Sequence, residues 1–270
     1  MNSGVPQQGS PHEEAAPDVS PAPEAFAWPA VRTVGSEAPW RWLRAGWQDL
    51  RAAPGPSLFY GGVLALMGFV LTRYSAGAAG LAFITGFFLV GPFLAVGIYE
   101  LSRRRGAGEP QALGPTLFAW KANFPAIGFY ALILMLSLAI WIRVSVVVVA
   151  LFFPQGVPTW EAVAQQLLRS PDPWVFLLAY LAAGSGIALM VFATSAVSLP
   201  MLLDRQRMDT ISAMIVSFNV LRANFRTMLL WGAMIVALVA AGFASFYLGL
   251  VLVLPLIGHA SWHAYRETVE

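Results

Sequence analysis

Two histidines, His259 and His263, stand four positions apart near the end of the chain, a spacing that can present two metal ligands on one helical face. Further ligands of such a site come from Cys, His or carboxylate groups. The chain has no Cys, its third histidine is His12 in a proline-rich segment, and Ala260-Ser261-Trp262 offers no glutamate between the pair. We therefore expect no metal ion, haem or other cofactor. Two imidazoles close to lipid headgroups are the prediction instead.

Other residues suited to catalysis are sparse. Ser195 and Ser198 lie in an apolar stretch without a base that would activate a hydroxyl, and no glycine-rich loop suited to a phosphate is present. Catalysis needs several polar groups that converge on one point. The sequence therefore predicts a protein that is not an enzyme.

Composition indicates a membrane protein. Of the 270 residues, 58% are hydrophobic and 11% are charged, whereas soluble domains carry about 25% charged residues. No charged residue occurs in the 39 positions between Arg226 and Arg266, which as one helix would be about 58 Å long, so the chain must turn back, near Gly249. Six spans are predicted: 57–74, 78–101, 125–152, 174–203, 227–246 and 250–266.

The basic residues are distributed unevenly between the two sides of these spans. If the N-terminus is inside, thirteen of the sixteen basic residues lie on the inner side. Only Arg73 and Arg169 lie outside, and Arg143 lies within a span. Basic residues accumulate on the cytoplasmic side of membrane proteins. The distribution therefore predicts that both termini are cytoplasmic.

Arg143 is the one charge that lies away from the ends of a predicted span. An arginine at the centre of a membrane helix costs about 2.5–3.5 kcal/mol on insertion scales. About ten strongly apolar residues of the same span, at about −0.3 to −0.6 kcal/mol each, offset that cost. Two interpretations stay open: the side chain extends to the outer surface or bonds backbone carbonyls, or it contacts an anion or a lipid headgroup.

A sequence pattern occurs three times, each time leading into a span. A basic residue, an Ala and a small or polar residue stand nine positions ahead of an aromatic: Arg51-Ala52-Ala53 before Tyr60, Lys121-Ala122-Asn123 before Tyr130, and Arg222-Ala223-Asn224 before Trp231. Apolar triplets spaced i, i+4, i+7 precede them: Leu43, Trp47 and Leu50; Leu113, Leu117 and Trp120; Met214, Phe218 and Leu221. This spacing places each triplet on one helical face.

The pattern predicts a polytopic all-α membrane protein of three repeats, each a short amphipathic helix followed by two spans. The amphipathic segments are 40–53, 111–122 and 208–224. We expect these helices to lie in the headgroup plane, where tryptophan is favoured. The alternative is a collar of helices packed on one another outside the membrane.

The second span of each pair contains a proline, namely Pro92, Pro200 or Pro255. Polar residues follow these prolines towards the inner side: Glu100, Asp204, His259 and His263. They are either ordinary helix ends among headgroups or the lining of an inward-facing vestibule, as at the interrupted helices of transporters. The neighbouring Arg103, Arg104 and Arg105 are candidate contacts for lipid headgroups.

Small residues four positions apart let helices approach closely. Ala237 with Ala241 and Ala240 with Ala244 predict a central packing role for the fifth span. Residues 1–38 are rich in Pro, Ala and Glu and hold few large apolar residues, which predicts a disordered cytoplasmic tail. The membrane domain is then 39–270.

Four sequence segments resemble one bacterial family of predicted integral membrane proteins, the domain-of-unknown-function 2189 family. They are Trp42 to Arg51 (WLRAGWQDLR), Gly91 to Arg103 (GPFLAVGIYELSR), Ser198 to Asp204 (SLPMLLD) and His259 to Arg266 (HASWHAYR). The resemblance covers about residues 40–268. It implies a six-span protein of the bacterial inner membrane with no established activity, and it assigns no functional residue.

The leading hypothesis is a non-enzymatic membrane component that contacts lipids or partner proteins through its cytoplasmic amphipathic segments and tail. A homo-oligomer is a further option. No nucleic-acid partner is expected. The alternative is a small transporter or channel with its vestibule near Glu100, Asp204, His259 and His263. These two classes differ in whether ion flux depends on the vestibule residues.

Overall fold

The computed structural model describes residue 1 and residues 28–74, 93–153 and 173–270. Helices dominate these ranges, and the extended pairing in them is an isolated antiparallel bridge between Val31 and Val269. The predicted all-α class is confirmed for this part of the chain. The predicted disordered tail falls largely on residues 2–27, and the start of the second span with Pro92 falls on 75–92; both lie outside the described residues.

The helices are α1 (Ala38–Ala52), α2 (Pro54–Tyr74), α3 (93–106), α4 (Leu113–Thr116), a 3-10 helix (Ala119–Asn123), α5 (Phe124–Phe152), α6 (Pro173–Ser195), α7 (Ser198–Asp204), α8 (Thr210–Ala223), α9 (Phe225–Ala244) and α10 (Leu250–Thr268).

Four segments of the described residues are long and apolar enough to cross a membrane: Pro54–Leu71, Leu113–Phe152, Trp174–Asp204 and Phe225–Ala244. They contain the first, third, fourth and fifth predicted spans, apart from a few residues at some of the ends. The sixth, 250–266, forms α10 but is not among them, because polar residues fill its C-terminal half. Pro255 lies inside α10 as predicted, whereas α6 ends at Ser195, five residues before Pro200.

Helix α10 holds the central position that the alanine pattern assigned to the fifth span. It packs against α1, α2, α7 and α9, and Gly61 of α2 is so close that a Cβ there would lie 1.9 Å from the Val251 carbonyl oxygen. The expectation for the fifth span was wrong in this respect. Its four alanines at 237, 240, 241 and 244 are all exposed in the described structure.

The predicted return of the chain near Gly249 lies between α9 and α10. Phe246 and Tyr247 adopt positive φ angles of 53° and 67°, which costs non-glycine residues energy. A Cβ at position 249 would lie 2.3 Å from the Ser245 hydroxyl oxygen. The same Cβ would lie 3.1 Å from the Gly242 Cα, so the absence of a side chain at 249 favours the close approach of α9 and α10.

The amphipathic helices bury a face adjacent to the predicted one. Helix α1 buries Trp42, Gly46 and Asp49, while Trp47, the middle residue of its apolar triplet, is 37% exposed. The middle residues of the other triplets, Leu117 and Phe218, are also exposed. Helices α1 and α8 therefore bury stripes that mix large apolar, small and polar residues, and they leave part of the predicted apolar face exposed.

The second amphipathic segment is not one helix. Residues 111–122 form the single turn α4, two turn residues and the 3-10 helix. The Trp120 indole N–H donates to the Leu117 carbonyl at 2.9 Å, an acceptor that a continuous α-helix would use for the backbone N–H of residue 121. This side-chain bond competes with α-helical pairing at that point.

The fold includes residues ahead of the predicted boundary at residue 38. Residues 30–32 run antiparallel to 268–270: the Arg32 N–H donates to the Thr268 carbonyl and the Glu270 N–H to the Ala30 carbonyl, each at 2.9 Å. The Val34 N–H donates to the Asn224 side-chain oxygen at 2.7 Å. The two ends of the described membrane domain therefore lie next to each other.

The three pattern segments share one burial profile. In 51–60, 121–130 and 222–231 the first, second, fourth and fifth positions are exposed, and the third, seventh and tenth are buried. The tenth positions are the predicted aromatics Tyr60, Tyr130 and Trp231. Each is followed by a small residue, Gly61, Ala131 or Gly232. The basic residue that begins each segment is thus exposed at the junction between an amphipathic segment and the apolar helix that follows it.

Candidate functional site

A buried polar network joins α1, α2, α3 and α10. We call it the Asp49 network, and its members are Asp49, Ser57, Ser102, Arg105, His259 and His263. Four of them are almost fully buried: Asp49, Ser57, Ser102 and His259. The His263 side chain is 31% exposed and Arg105 is similar, so the network reaches the surface at these two residues.

Close helix packing brings these residues together. Gly46 of α1 faces α10 so closely that a Cβ there would lie 2.7 Å from the Ala260 nitrogen and 3.1 Å from the Leu256 carbonyl oxygen. Asp49 is three residues further along the same face of α1. Ala260 lies between His259 and His263, so the contact at Gly46 sets Asp49 beside both imidazoles.

The hydrogen bonds of the network have a definite direction because Asp49 is an acceptor. The Ser102 hydroxyl donates to Asp49 Oδ2 at 2.5 Å. Ser102 Oγ must then accept from His259 Nδ1 at 2.7 Å. A neutral imidazole has one donor and one acceptor, so His259 Nε2 accepts from the Ser57 hydroxyl at 2.9 Å. A continuous chain of donors thus runs from Ser57 to Asp49.

Two further donors meet the Asp49 carboxylate. His263 Nε2 lies 2.9 Å from Oδ2, and Arg105 Nη1 lies 2.7 Å from Oδ1. Burial raises the pKa of the Asp49 carboxyl, but hydrogen bonds from His263 and Ser102 and the field of the two imidazoles outweigh it, so the pKa lies below its ordinary value. Asp49 is therefore a buried carboxylate that its donors keep ionised.

Glu100, a predicted vestibule residue, is instead the centre of a local ion cluster. Arg103 donates to it from Nε at 2.6 Å and from Nη2 at 2.9 Å, and Arg104 Nε donates at 2.7 Å. Both arginines also pair with Glu109 at 3.4–3.6 Å. Hydrogen bonds to Glu100 raise the pKa of the Arg103 guanidinium. The predicted lipid-contacting arginines 103–105 thus all have carboxylate partners within the fold.

Asp204 is likewise engaged at the end of α7. Its Oδ2 accepts from the Tyr265 hydroxyl at 2.7 Å and from Arg266 Nη1 at 3.1 Å. Arg205 bonds the Tyr265 hydroxyl oxygen at 3.3 Å and also the Glu270 carbonyl. Nearby, Arg41 and the Trp42 indole N–H bond Glu267. The structure therefore joins His259 with His263, and gives Glu100 and Asp204 separate sets of partners.

Arg143 lies on α5 with an exposed side chain, and it makes no salt bridge within the described part of the chain. It is 19 residues from the start of α5, about 28 Å along the helix. Two residues later, the Ser145 hydroxyl and the Tyr180 hydroxyl are 2.8 Å apart and connect α5 to α6. Between these helices is an open apolar groove of about 660 Å³, which includes Trp141 and Gly184.

The described residues contain no group of three His, Cys, Asp or Glu side chains placed to hold a metal ion. Both nitrogens of His259 are bonded to serines, and His263 is bonded to Asp49. Nor does any buried side-chain nitrogen or oxygen in this part of the chain lack a hydrogen-bond partner. The network stabilises the contacts among four helices and presents a path along which a proton can move.

Sequence reasoning missed Asp49, Ser57 and Ser102. One signal was available for Asp49: it is the only acidic residue of its amphipathic segment and stands one helical turn after Gly46, on the small-residue stripe. The serines gave none, because a serine at a helix end is common.

Residues 80–204 match the family DUF2189, described as a predicted integral membrane protein. This is the family that the four sequence segments indicated, and the resemblance is confirmed over residues 80–204. No curated protein and no solved structure matches the chain.

Proposed function

We propose that this protein, an integral membrane protein by its family match and its apolar helices, is a non-enzymatic component that contacts lipids or membrane partners. One observation carries the proposal. The buried polar side chains of the described residues are all bonded to one another or to backbone, whereas large apolar side chains such as Trp40, Leu66 and Val236 point outward. Because the buried polar groups are bonded within the fold, the surface that remains for contacts is apolar. It is bordered by the exposed basic residues of the repeated pattern.

The architecture we propose is three repeats of an amphipathic segment and two spans, six spans in all. The shared burial profile of 51–60, 121–130 and 222–231 supports it. Contacts between consecutive repeats are also similar: Tyr60 bonds Thr116 at 3.0 Å, Thr210 bonds the Ala126 carbonyl at 2.7 Å, and Trp231 packs edge-on against Trp42 at 5.7 Å. Each first span thus meets the amphipathic segment of the next repeat, and the third meets the first.

We also propose that both termini are cytoplasmic, in a bacterial inner membrane. The bridge between Val31 and Val269 supports an even number of spans, because it keeps both ends of the domain together. The excess of basic residues on that side supports a cytoplasmic location.

Purification of the full chain in native lipid particles, followed by mass spectrometry of retained molecules, tests the proposal. We expect a reproducible set of phospholipids or one protein partner at fixed stoichiometry. A matched variant that lacks residues 2–27 but keeps the bonded segment 28–37 separates a tail-bound partner from one held by the membrane domain. Retention of bulk lipid alone, in bulk proportions, would count against the proposal.

A second candidate function is proton transfer, which the hydrogen-bond chain from Ser57 through His259 and Ser102 to Asp49 favours. His263 would connect the chain to the surface. Proteoliposomes with a pH-sensitive dye inside measure it. Proton flux that is abolished in His263→Gln but kept in Arg266→Gln, a nearby surface change, would establish this second function. Flux equal to that of empty vesicles rules it out.

A further inference from the structure

The arginines that the sequence marked for lipid contact are occupied by carboxylates of the protein. Arg103 and Arg104 share Glu100 and Glu109, and Arg105 binds Asp49. A cation already paired in the fold gives up a favourable contact before it can bind a phosphate. The cations available to lipid are therefore to be found elsewhere on the surface.

Arg51, Lys121 and Arg222, the basic residues of the repeated pattern, are exposed and make no salt bridge within the described part of the chain. They occupy the same position of the shared burial profile. Other arginines of the described residues also lack a salt bridge, among them Arg44, Arg73, Arg143, Arg207 and Arg226. What distinguishes Arg51, Lys121 and Arg222 is their equivalent position in the three repeats.

Two of these cations lie over an aromatic ring, and the third has an exposed aromatic residue one helical turn away. The Arg51 guanidinium lies 5.3 Å from the Trp47 ring centroid, and the Lys121 ammonium lies 4.7 Å from that of Phe118. Phe218, one turn before Arg222, is 49% exposed. Aromatic rings of this kind are favoured at headgroup depth, so the cations beside them lie where phosphates lie.

The residues that follow the cations also indicate that the cations lie at the depth of the lipid phosphates. The next helix in each repeat exposes apolar side chains within eight positions of the cation, including Phe59, Phe124 and Phe225. The cation thus lies where the exposed surface of the protein changes from a mixture of polar and apolar residues to apolar residues. At a membrane boundary this is the level of the phosphodiester groups.

We propose that Arg51, Lys121 and Arg222 each bind the phosphate of an anionic phospholipid headgroup, one lipid per repeat, with the neighbouring aromatic ring against the glycerol and upper acyl region. This inference rests on the proposed lipid-contacting function and names its ligand. The charges are complementary, and the apolar surface that begins beside each cation fits the lipid tails.

Lipid retention by charge variants tests the sites. The full chain and two triple variants are exchanged into detergent with equal amounts of phosphatidylcholine and phosphatidylglycerol, and bound lipid is counted by native mass spectrometry. The test variant is R51Q/K121Q/R222Q. The matched control, R32Q/R41Q/R266Q, removes three exposed cations that are paired with Glu270, with Glu37 and Glu267, and with Asp204.

We expect the parent and the control to retain phosphatidylglycerol preferentially. In the test variant the affinity of each of the three sites for phosphatidylglycerol should fall by about fivefold, since one cation near a lipid surface contributes about that factor. Equal retention by the test variant and the parent overturns the assignment. If the parent retains defined lipids and the test variant retains them equally, the proposed function stands and only these sites fall.

A second measurement needs no disruptive variant, because Lys121 is the only lysine of the chain. Its amine is labelled with an amine-reactive reagent in vesicles with and without phosphatidylglycerol. Arg32→Lys supplies a reference amine at a position paired with Glu270, which corrects for the general surface potential. We expect Lys121 to be protected several-fold more than the amine at position 32. Equal protection of the two amines, or equal protection by free inorganic phosphate, contradicts a headgroup site.

Discussion

The Asp49 carboxylate accepts a hydrogen bond from His263 Nε2 at 2.9 Å, although 214 positions separate the two residues. This contact joins the first amphipathic helix to the last helix of the chain. Arg105 and Ser102 bond the same carboxylate from α3, so one buried acid connects three helices. Substituting it should weaken the contacts among these three helices.

Asp49→Asn should lower the free energy of unfolding by about 3 kcal/mol, since removing one partner of a buried ion pair leaves the other uncompensated. This value is at the lower end of the range for losing one partner of a buried ion pair, because Arg105 is partly solvated. Thermal unfolding in detergent, followed by tryptophan fluorescence, measures it. Glu109→Gln is the control, since Glu109 makes only longer, exposed pairs, and it should change stability by less than about 0.5 kcal/mol.

The depressed pKa of Asp49 predicts acid lability. A carboxylate whose folded pKa lies below its ordinary value of 3.8 stabilises the fold above that value, and the contribution is lost as pH falls through the lower folded pKa. The melting temperature should therefore drop as the pH falls below about 4. Asp49→Asn should show a shallower drop over the same range. Parallel curves for the two proteins would mean that other groups govern acid unfolding.

Much of the helix layout was predictable because it depends on local sequence. Apolar runs of about 20 residues fixed the approximate bounds of α2, α5 and α9, and the length limit on a membrane helix located the turn at Gly249. The class of fold and the repeated burial profile follow from the same periodicities. These signals need no knowledge of which helices are neighbours.

The Asp49 network was not predictable, because it depends on long-range packing. His259 and His263 were singled out by their spacing, but their partners Asp49, Ser57 and Ser102 lie in three other helices. Glu100 and Asp204 were grouped with them by distance from a proline, which says nothing about the partner each one finds. The buried face of α1 was likewise set by the close contact of Gly46 with α10, which buries Trp42 and leaves Trp47 exposed.

Neighbouring glycines in α2 provide a matched test of the packing around α10. A Cβ at position 61 would overlap the Val251 carbonyl, and one at position 62 would have no heavy atom within 4 Å. Gly61→Ala should destabilise by about 2 kcal/mol through overpacking, whereas Gly62→Ala should stabilise slightly because alanine is the better helix former. Thermal unfolding of both variants decides. Equal shifts would show that α2 and α10 are not in close contact.

Arg143 has no salt bridge within the described residues, so its removal should not destabilise the fold. Arg143→Leu should leave the melting temperature unchanged or raise it, since the substitution removes an insertion cost of a few kcal/mol. Arg105→Leu, which removes a partner of Asp49, should lower it. A drop for Arg143→Leu comparable to that of Arg105→Leu would reveal a partner for Arg143.

Adjacency of the two ends of the domain can be tested by a disulfide, because the chain has no cysteine of its own. The bonds from Arg32 to Thr268 and from Glu270 to Ala30 flank Val31 and Val269, which makes them a non-hydrogen-bonded antiparallel pair with Cα atoms about 4.5 Å apart. That separation suits a disulfide. Val31→Cys with Val269→Cys should therefore crosslink under mild oxidation in intact membranes. A protease site placed in the turn at 245–249 makes the crosslink detectable. After cleavage, the two fragments stay joined only if the disulfide has formed.

The control pair is Val34→Cys with Val269→Cys. Three residues of extended chain move the first cysteine about 10 Å along the strand, beyond the reach of a disulfide, so this pair should stay unlinked. Crosslinking of both pairs would indicate a mobile terminus, and crosslinking of neither would mean that the N-terminal segment does not lie on the end of α10. Linkage of the first pair alone requires that residues 31 and 269 share one side of the membrane.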